Sequence, residues 1–255
     1  MRPRVIPVLL LDDGFLVKTT GYRNPTYVGD PINTVKIFNE KGADELVILD
    51  IGASRRDAAL NLRALENIAS EAFMPIAYGG GVRHPQEADQ ILRLGVEKIV
   101  LNSSLFDTPR IVEAVAGEHG SQAVVASVDV GRPRFARADR VVRVSGRRAV
   151  DVPVVEWCRE LERRGTGEIL LTDVRREGMR TGYNCDLIAS VSRAVTVPVI
   201  ANGGSGETQH FRLAVLAGAS AVAAGTQFTY HGSRRAVLIN YPTDNELTTV
   251  FSGDH

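Results

Sequence analysis

The stretches "GADELVILDI" (residues 42–51) and "GTGEILLTDV" (residues 165–174) decide how this chain reads. Each opens on glycine, places an acid three residues on, runs through apolar residues and ends an aspartate later: Glu45 to Asp50, and Glu168 to Asp173. An apolar run of this kind reads as a parallel strand buried on both faces. The two lie 123 residues apart, and the same offset carries "PIAYGGG" from Pro75 onto "PVIANGG" from Pro198. It also carries Gly95 onto Gly218, and Asn102-Ser103 onto Gly225-Thr226. A constant offset kept over about sixty residues marks an internal duplication.

Outward from these strands, helical and strand patterns alternate. "DPINTVKIFNEKG" has an Asp cap, Pro31 at the first helical position and Gly42 at its end; that is a helix with both punctuation marks. "HPQEADQILRLG" repeats the form. Eight strand candidates emerge: "VIPVLLL", "ELVILDI", "MPIAYGG", "EKIVLN", "AVVASVDV", "EILLTDV", "PVIANGG" and "AVAAG". Strands separated by helices over 255 residues predict an α/β fold, a single (β/α)8 barrel of two fused half-barrels. The halves cover approximately residues 1–120 and 121–255.

Composition narrows the function classes. The formal net charge is zero, which gives no ground for a nucleic-acid or membrane partner. The seven-residue apolar run near the N-terminus is too short for a signal peptide or a span. Cys158 and Cys185 form no metal-type spacing, and a reducing cytoplasm is the simplest setting. Cys158 lies in a helical pattern beside Trp157 and reads as buried rather than nucleophilic. The five histidines show no ligand spacing, so no metal and no cofactor is expected. Among 30 basic residues only four are lysine: Lys18, Lys36, Lys41 and Lys98. A lysine kept in an arginine-rich chain is a candidate for a role that needs its geometry and movable pKa.

Three constellations bear on chemistry. First, glycine clusters follow strands and precede helices at Gly79, Gly80 and Gly81, and again at Gly203, Gly204 and Gly206. There the backbone N–H groups and a helix N-terminus favour an anion. With Asn102 and Ser103 in one half, and Gly225 and Thr226 in the other, they suggest two phosphate sites facing each other across one barrel mouth; the bland reading is tight turns. Second, Asp50, Asp129 and Asp173 end strands on the face where barrels do their chemistry. Asp129, in "VVASVDVGR", reads as catalytic. Asp50 and Asp173 read equally as acid–base groups or as helix caps. Third, Arg4, Glu45, Lys98 and Glu168 stand at the starts of four strands. Two acids and two bases there form either a salt-bridged gate on the barrel floor or ordinary surface charge. The segment "RPRFARADRVVRVSGRR", with seven arginines and one aspartate, reads as a hairpin after the Asp129 strand and, more sharply, as a cationic lid over a phosphorylated ligand.

The motifs "DG.LVK", "GDP", "GADELVILDI.AS", "P...GGGVR", "G.EKIVLN", "RRG.GEILLT" and "PVIA.GG.G", together spanning nearly all of Arg4 to Tyr230, resemble those of the cyclase subunit of imidazole glycerol phosphate synthase. The resemblance implies a barrel that receives ammonia from a separate glutaminase subunit docked at its N-terminal face. The barrel delivers the ammonia to a bisphosphorylated substrate at the other end. It implies an ammonia gate at Arg4, Glu45, Lys98 and Glu168, an active-site lysine at Lys18, a catalytic acid at Asp129, and phosphate loops at the glycine sites. No glutaminase machinery of the Cys-His-Glu kind is present in the chain, so ammonia comes from a partner.

Two departures stand out. The family's first catalytic aspartate falls on Leu10, and its Asp-Gly-Thr phosphate loop reads Glu177-Gly178-Met179. A leucine transfers no proton, and losing one acid–base partner removes a factor of about 10²–10⁴. The loop "NPTYVGDPINTVKIFNEKG" and the later "RRAVLINYP" are similar to a branch of the family associated with amidation of bacterial surface sugars. In that branch the barrel works beside a glutaminase and a separate sugar amidotransferase. Three readings follow: an ammonia-conducting barrel serving sugar amidation, a working cyclase with a rearranged acid, and an inert scaffold that activates a glutaminase.

Overall fold

Alternation decides where each residue of the first strand points. In β1 (Arg4–Asp12), Ile6, Val8 and Leu10 join an inner cluster, while Val5, Leu9 and Leu11 pack outward against helices. The same two-sided burial recurs in the seven strands that follow. They are β2 (Leu46–Asp50), β3 (Ile76–Gly79), β4 (Lys98–Leu101), β5 (Val124–Gly131), β6 (Glu168–Asp173), β7 (Val199–Asn202) and β8 (Ala221–Ala224). The computed structural model describes residues 2–56, 60–132, 138–143, 148–232 and 234–252.

Each strand pairs in parallel with the next. The ring closes where β8 pairs with β1, from Arg4 opposite Ala221 to Pro7 opposite Ala224. The architecture is a (β/α)8 barrel, as the repeat predicts. Outside it lie α1 (Pro31–Glu40), α2 (Leu62–Glu71), α3 (Pro85–Arg93), α4 (Arg110–His119), α5 (Val154–Arg163), α6 (Cys185–Ser192), α7 (Gln209–Leu216) and α8 (Asp244–Ser252). Local chemistry sets their ends. The Asp30 carboxylate accepts from Asn33 N at 2.8 Å and Pro31 opens α1. The Glu87 carboxylate accepts from the N–H groups of Arg83 and His84 at the start of α3. These satisfy donors that a helix start leaves open. Among the described residues, no helix is long and apolar enough to cross a membrane.

Two antiparallel additions decorate the barrel. The predicted hairpin after Asp129 is present as Arg140–Arg143 paired with β5 and with Arg148–Ala149. Its arginines are partly committed: Arg143 pairs with Asp107 at 2.6 Å and lies over the Phe106 ring, and Arg132 pairs with Asp139. Residues 133–137 and 144–147, on which the lid reading rests, lie outside the described residues. The second addition was not foreseen. Phe15–Thr20 and Arg23–Gly29 form a hairpin that extends β1, with Leu10 opposite Val17 and Thr20 opposite Arg23. Its two-residue turn is Gly21-Tyr22, both at positive φ (+55° and +62°). That is the twist a tight hairpin needs.

Candidate functional site at the two ends of the barrel

At the N-terminal end, Arg4, Glu45, Lys98 and Glu168 converge. Arg4 donates to Glu45 at 2.5 Å and to Glu168 at 2.6 Å. Lys98 Nζ donates to both Glu45 oxygens, at 2.9 and 3.0 Å, and to Glu168 at 3.1 Å. Each cation therefore bridges both acids in a closed ring. Glu45 is 2% exposed while the Arg4 side chain keeps 32% of its surface in solvent, so the ring is a partly buried network rather than ordinary surface charge. Burial opposes the charge on Arg4, but Glu168 and Glu45 outweigh it and raise the guanidinium pKa.

Above the ring the barrel interior is apolar: Ile6, Val47, Val100, Leu170 and Ile200 fill it, and Val8 and Leu10 continue it upward. At the mouth the lining turns polar. A small cavity of about 30 Å³ lies there, lined by Val8, Leu10, Lys18, Tyr22, Leu49, Glu177, Gly178 and the loops from Asn202 to Ser205 and from Ala224 to Thr226. That is room for one or two water-sized molecules.

The sequence candidates divide here. Lys18, Gly178, Gly203, Gly204, Gly225 and Thr226 all border the cavity. Thr226 is 5% exposed, and its hydroxyl finds no hydrogen-bond partner among the described residues. A buried hydroxyl left open beside glycine backbone suits an oxygen-bearing ligand or a water. The first-half loops, with Gly80, Gly81, Asn102 and Ser103, do not line this cavity. Asn102 instead donates to Asp129 at 3.1 Å and to the Ser127 carbonyl at 3.0 Å. The glycines also have a steric reason to be glycine. Gly80 (φ +111°) would place a Cβ 2.2 Å from the Asp50 carbonyl oxygen. Its repeat partner Gly203 would place one 2.8 Å from the Asp173 carbonyl oxygen.

Asp129 is 6% exposed on β5. Burial pushes its pKa up to about 6, against the hydrogen bonds from Tyr22 and Asn102, with the Glu177 charge adding to the rise. Tyr22 Oη donates to Asp129 Oδ1 at 2.8 Å. Burial, and then the Asp129 charge, push the Tyr22 hydroxyl well above its ordinary range, so it stays a donor. Leu10 lines the cavity and supplies no proton carrier.

Glu177 departs from the phosphate-binding role expected of it. Its carboxylate accepts from Lys18 Nζ at 2.5 Å, from Thr19 Oγ1 at 3.3 Å and from Tyr22 N at 3.3 Å, and it is 6% exposed. A buried carboxylate there repels an anion and neutralises the lysine that would attract one.

Of the other strand-end acids, Asp50 accepts from Ala53 N at 2.7 Å, capping the helix at Ile51–Arg56. Like Asp129, it does not line the cavity. Asp173 accepts from Arg175 N and from Asn184 Nδ2. Both geometries are those of helix- and loop-holding acids. Cys158 is fully buried in α5, and burial raises its thiol pKa to about 12.

Histidine spacing alone missed one tertiary cluster. Asp89, Glu118 and His119 bring ligand-type atoms within 4.8 Å of one another between α3 and α4. There Asp89 pairs with Arg93 at 2.8 Å and faces His119 at 3.4 Å. The residue that sequence reasoning missed altogether is Tyr22. Its only signal was an aromatic after glycine in the polar stretch "KTTGYRN".

A (β/α)8 barrel, closed at one end by alternating charges and carrying acid, lysine and glycine loops at the other, defines a class of protein whose sites lie at the C-terminal mouth of the barrel. The family model described as "Histidine biosynthesis protein" matches residues 4–234. A Pseudomonas aeruginosa protein, provisionally named imidazole glycerol phosphate synthase subunit hisF2, is 44% identical over 248 residues, covering 97% of this chain and 98% of that protein. A Leptospira borgpetersenii protein, provisionally named as the HisF subunit of that synthase, is 38% identical over 252 residues, covering 98% and 99%. The imidazole glycerol phosphate synthase subunit HisF of Micrococcus luteus is 39% identical over 230 residues, covering 89% and 90%. The chain belongs to the histidine biosynthesis protein family, and within it to the HisF type of cyclase subunit.

Proposed function

We propose that the chain is the ammonia-receiving subunit of a glutamine amidotransferase complex, diverged from cyclisation to conduct ammonia for amidation of a bacterial surface sugar. A glutaminase subunit docks on the N-terminal face, below the ring of Arg4, Glu45, Lys98 and Glu168. Ammonia enters where the ring parts and travels as the neutral molecule. An apolar interior penalises ammonium far more than ammonia, because burying an unpaired charge is costly. A separate sugar amidotransferase consumes the ammonia that leaves the mouth.

The observation that carries this reading is Leu10. It extends the apolar lining to the mouth and brings no carboxyl to its own place in the cavity wall. Glu177, paired with Lys18, adds a negative charge where a phosphate would sit.

A second reading, a working cyclase making imidazole glycerol phosphate, draws on Asp129. A carboxyl titrating near 6 is suited to proton transfer close to neutrality. The purified chain, supplied with ammonium and the bisphosphorylated ribulosyl formimino intermediate of histidine biosynthesis, separates the two. Absent turnover, together with glutaminase activity that rises when the partner docks, supports conduction. Turnover at the level of a HisF cyclase overturns it.

A further inference from the structure

We infer that Tyr22 is a specificity-determining plug, held in the barrel mouth by Glu177, that keeps phosphorylated ligands away from Asp129 while leaving room for ammonia. The proposal takes its purpose from the conduction reading, but its geometry stands alone. The hairpin turn at Gly21-Tyr22 bends inward, so that Tyr22 is partly buried although Arg23, next to it, is exposed. Its hydroxyl occupies one oxygen of Asp129 at 2.8 Å, and Asn102 occupies the other at 3.1 Å. Each oxygen of the acid thus already accepts one hydrogen bond from within the chain, and a ligand would have to compete with the Tyr22 side chain to approach it.

Glu177 fastens the turn from below through three side-chain contacts, to Lys18, Thr19 and the Tyr22 amide. Its carbonyl oxygen accepts from Gly21 N at 3.0 Å as a fourth tie. Tyr22 also holds φ at +62°, a conformation that a bulky residue adopts only where its surroundings compensate the strain. Beneath the plug about 30 Å³ remains. That is ample for ammonia, whereas pockets for organic ligands run to about 300–1,000 Å³. Leu10 removes the acid, and Tyr22 with Glu177 occupies the space the substrate would need.

The chain has four lysines, so a lysine-specific endoprotease reads the plug directly. Cleavage after Lys18, which is 7% exposed, requires the hairpin to lift, and its rate follows the open population. Lys98, in the ring at the opposite end, serves as the internal control. With the isolated chain, Tyr22→Phe and Glu177→Gln should each accelerate cleavage after Lys18 about tenfold, the scale of losing a hydrogen bond to a charged group. Cleavage after Lys98 should rise by a smaller factor, and the melting temperature should fall by only the few degrees that such a loss predicts.

Tyr22→Ala should in addition bind fructose 1,6-bisphosphate, the probe used, at least tenfold tighter than wild type by calorimetry. Unchanged cleavage after Lys18 in both hairpin variants overturns the plug. So does Tyr22→Ala binding the probe no better than wild type, or neither protein binding it. Neither measurement involves ammonia or a glutaminase. A failed plug therefore leaves conduction standing, and failed conduction leaves the plug standing.

Discussion

Asp129→Asn tests the burial of the mouth acid through stability alone. The ordinary carboxyl pKa of 3.8 is raised to about 6 in the folded chain. The folded state therefore holds its proton more tightly than the unfolded state does. Below about pH 4 the carboxyl is protonated in both states and this contribution to stability is fully present. Between about pH 4 and pH 6 the unfolded chain releases the proton first, so stability falls as pH rises. Above the folded pKa the contribution is gone. Two pKa units at 1.36 kcal/mol each put its size at about 3 kcal/mol.

Asp129→Asn removes that slope. It also turns one acceptor toward the Asn102 amide as a donor, a loss of about 1 kcal/mol at every pH. Scanning calorimetry of the two proteins from pH 4 to pH 7 should show the variant gaining about 3 kcal/mol on wild type across the range. At roughly 2–4 °C per kcal/mol for a chain of this size, the melting temperatures should shift relative to each other by about 6–12 °C. Melting curves that stay parallel across the range would falsify the account of Asp129 as a desolvated acid.

Three further outcomes are expected. Lys98→Met leaves buried Glu45 with Arg4 as its remaining cationic partner among the described residues and should cost about 3–5 kcal/mol in urea unfolding; a loss under 1 kcal/mol would make the ring a surface feature. Gly204→Ala forces a Cβ to within 2.2 Å of the Gly182 carbonyl oxygen at φ +117°, and should lower stability by more than about 1 kcal/mol with no ligand present. Iodoacetamide should label partly exposed Cys185 in the native protein and spare Cys158, fully buried and with its thiol raised to about 12, until denaturant is added; equal labelling would contradict the packing of α5.

The barrel was legible because its signals are local and repeated. Apolar runs set between capped helices mark all eight strands, and the 123-residue offset alone pairs Glu45 with Glu168. Leu10 stood out through the family resemblance, and the structure puts it, and not Leu9, inside the barrel. The ring was legible for the same reason, since four strand starts must meet at one barrel end. Tyr22 was not legible, because its meaning lies in a contact with Asp129, 107 residues away, set by a turn whose hand the polar sequence did not announce. Glu177 misled for a related reason. Its place in the loop said phosphate, but its partner Lys18 arrives from the hairpin. For Asp50 the sequence left cap and catalyst even, and the structure adds a capping hydrogen bond from the Ala53 amide.

The pairing of Gly80 against Asp50, repeated as Gly203 against Asp173, reaches beyond this molecule. Both glycines are demanded by the strand end beside them, whether or not an anion ever arrives. Such a barrel displays the signature of an anion site for a steric reason alone, because folding requires the glycine at both positions. Glycine-rich loops in a duplicated barrel are thus a record of construction, and present-day chemistry has to be sought in the side chains free to change around them, here Leu10, Tyr22 and Glu177.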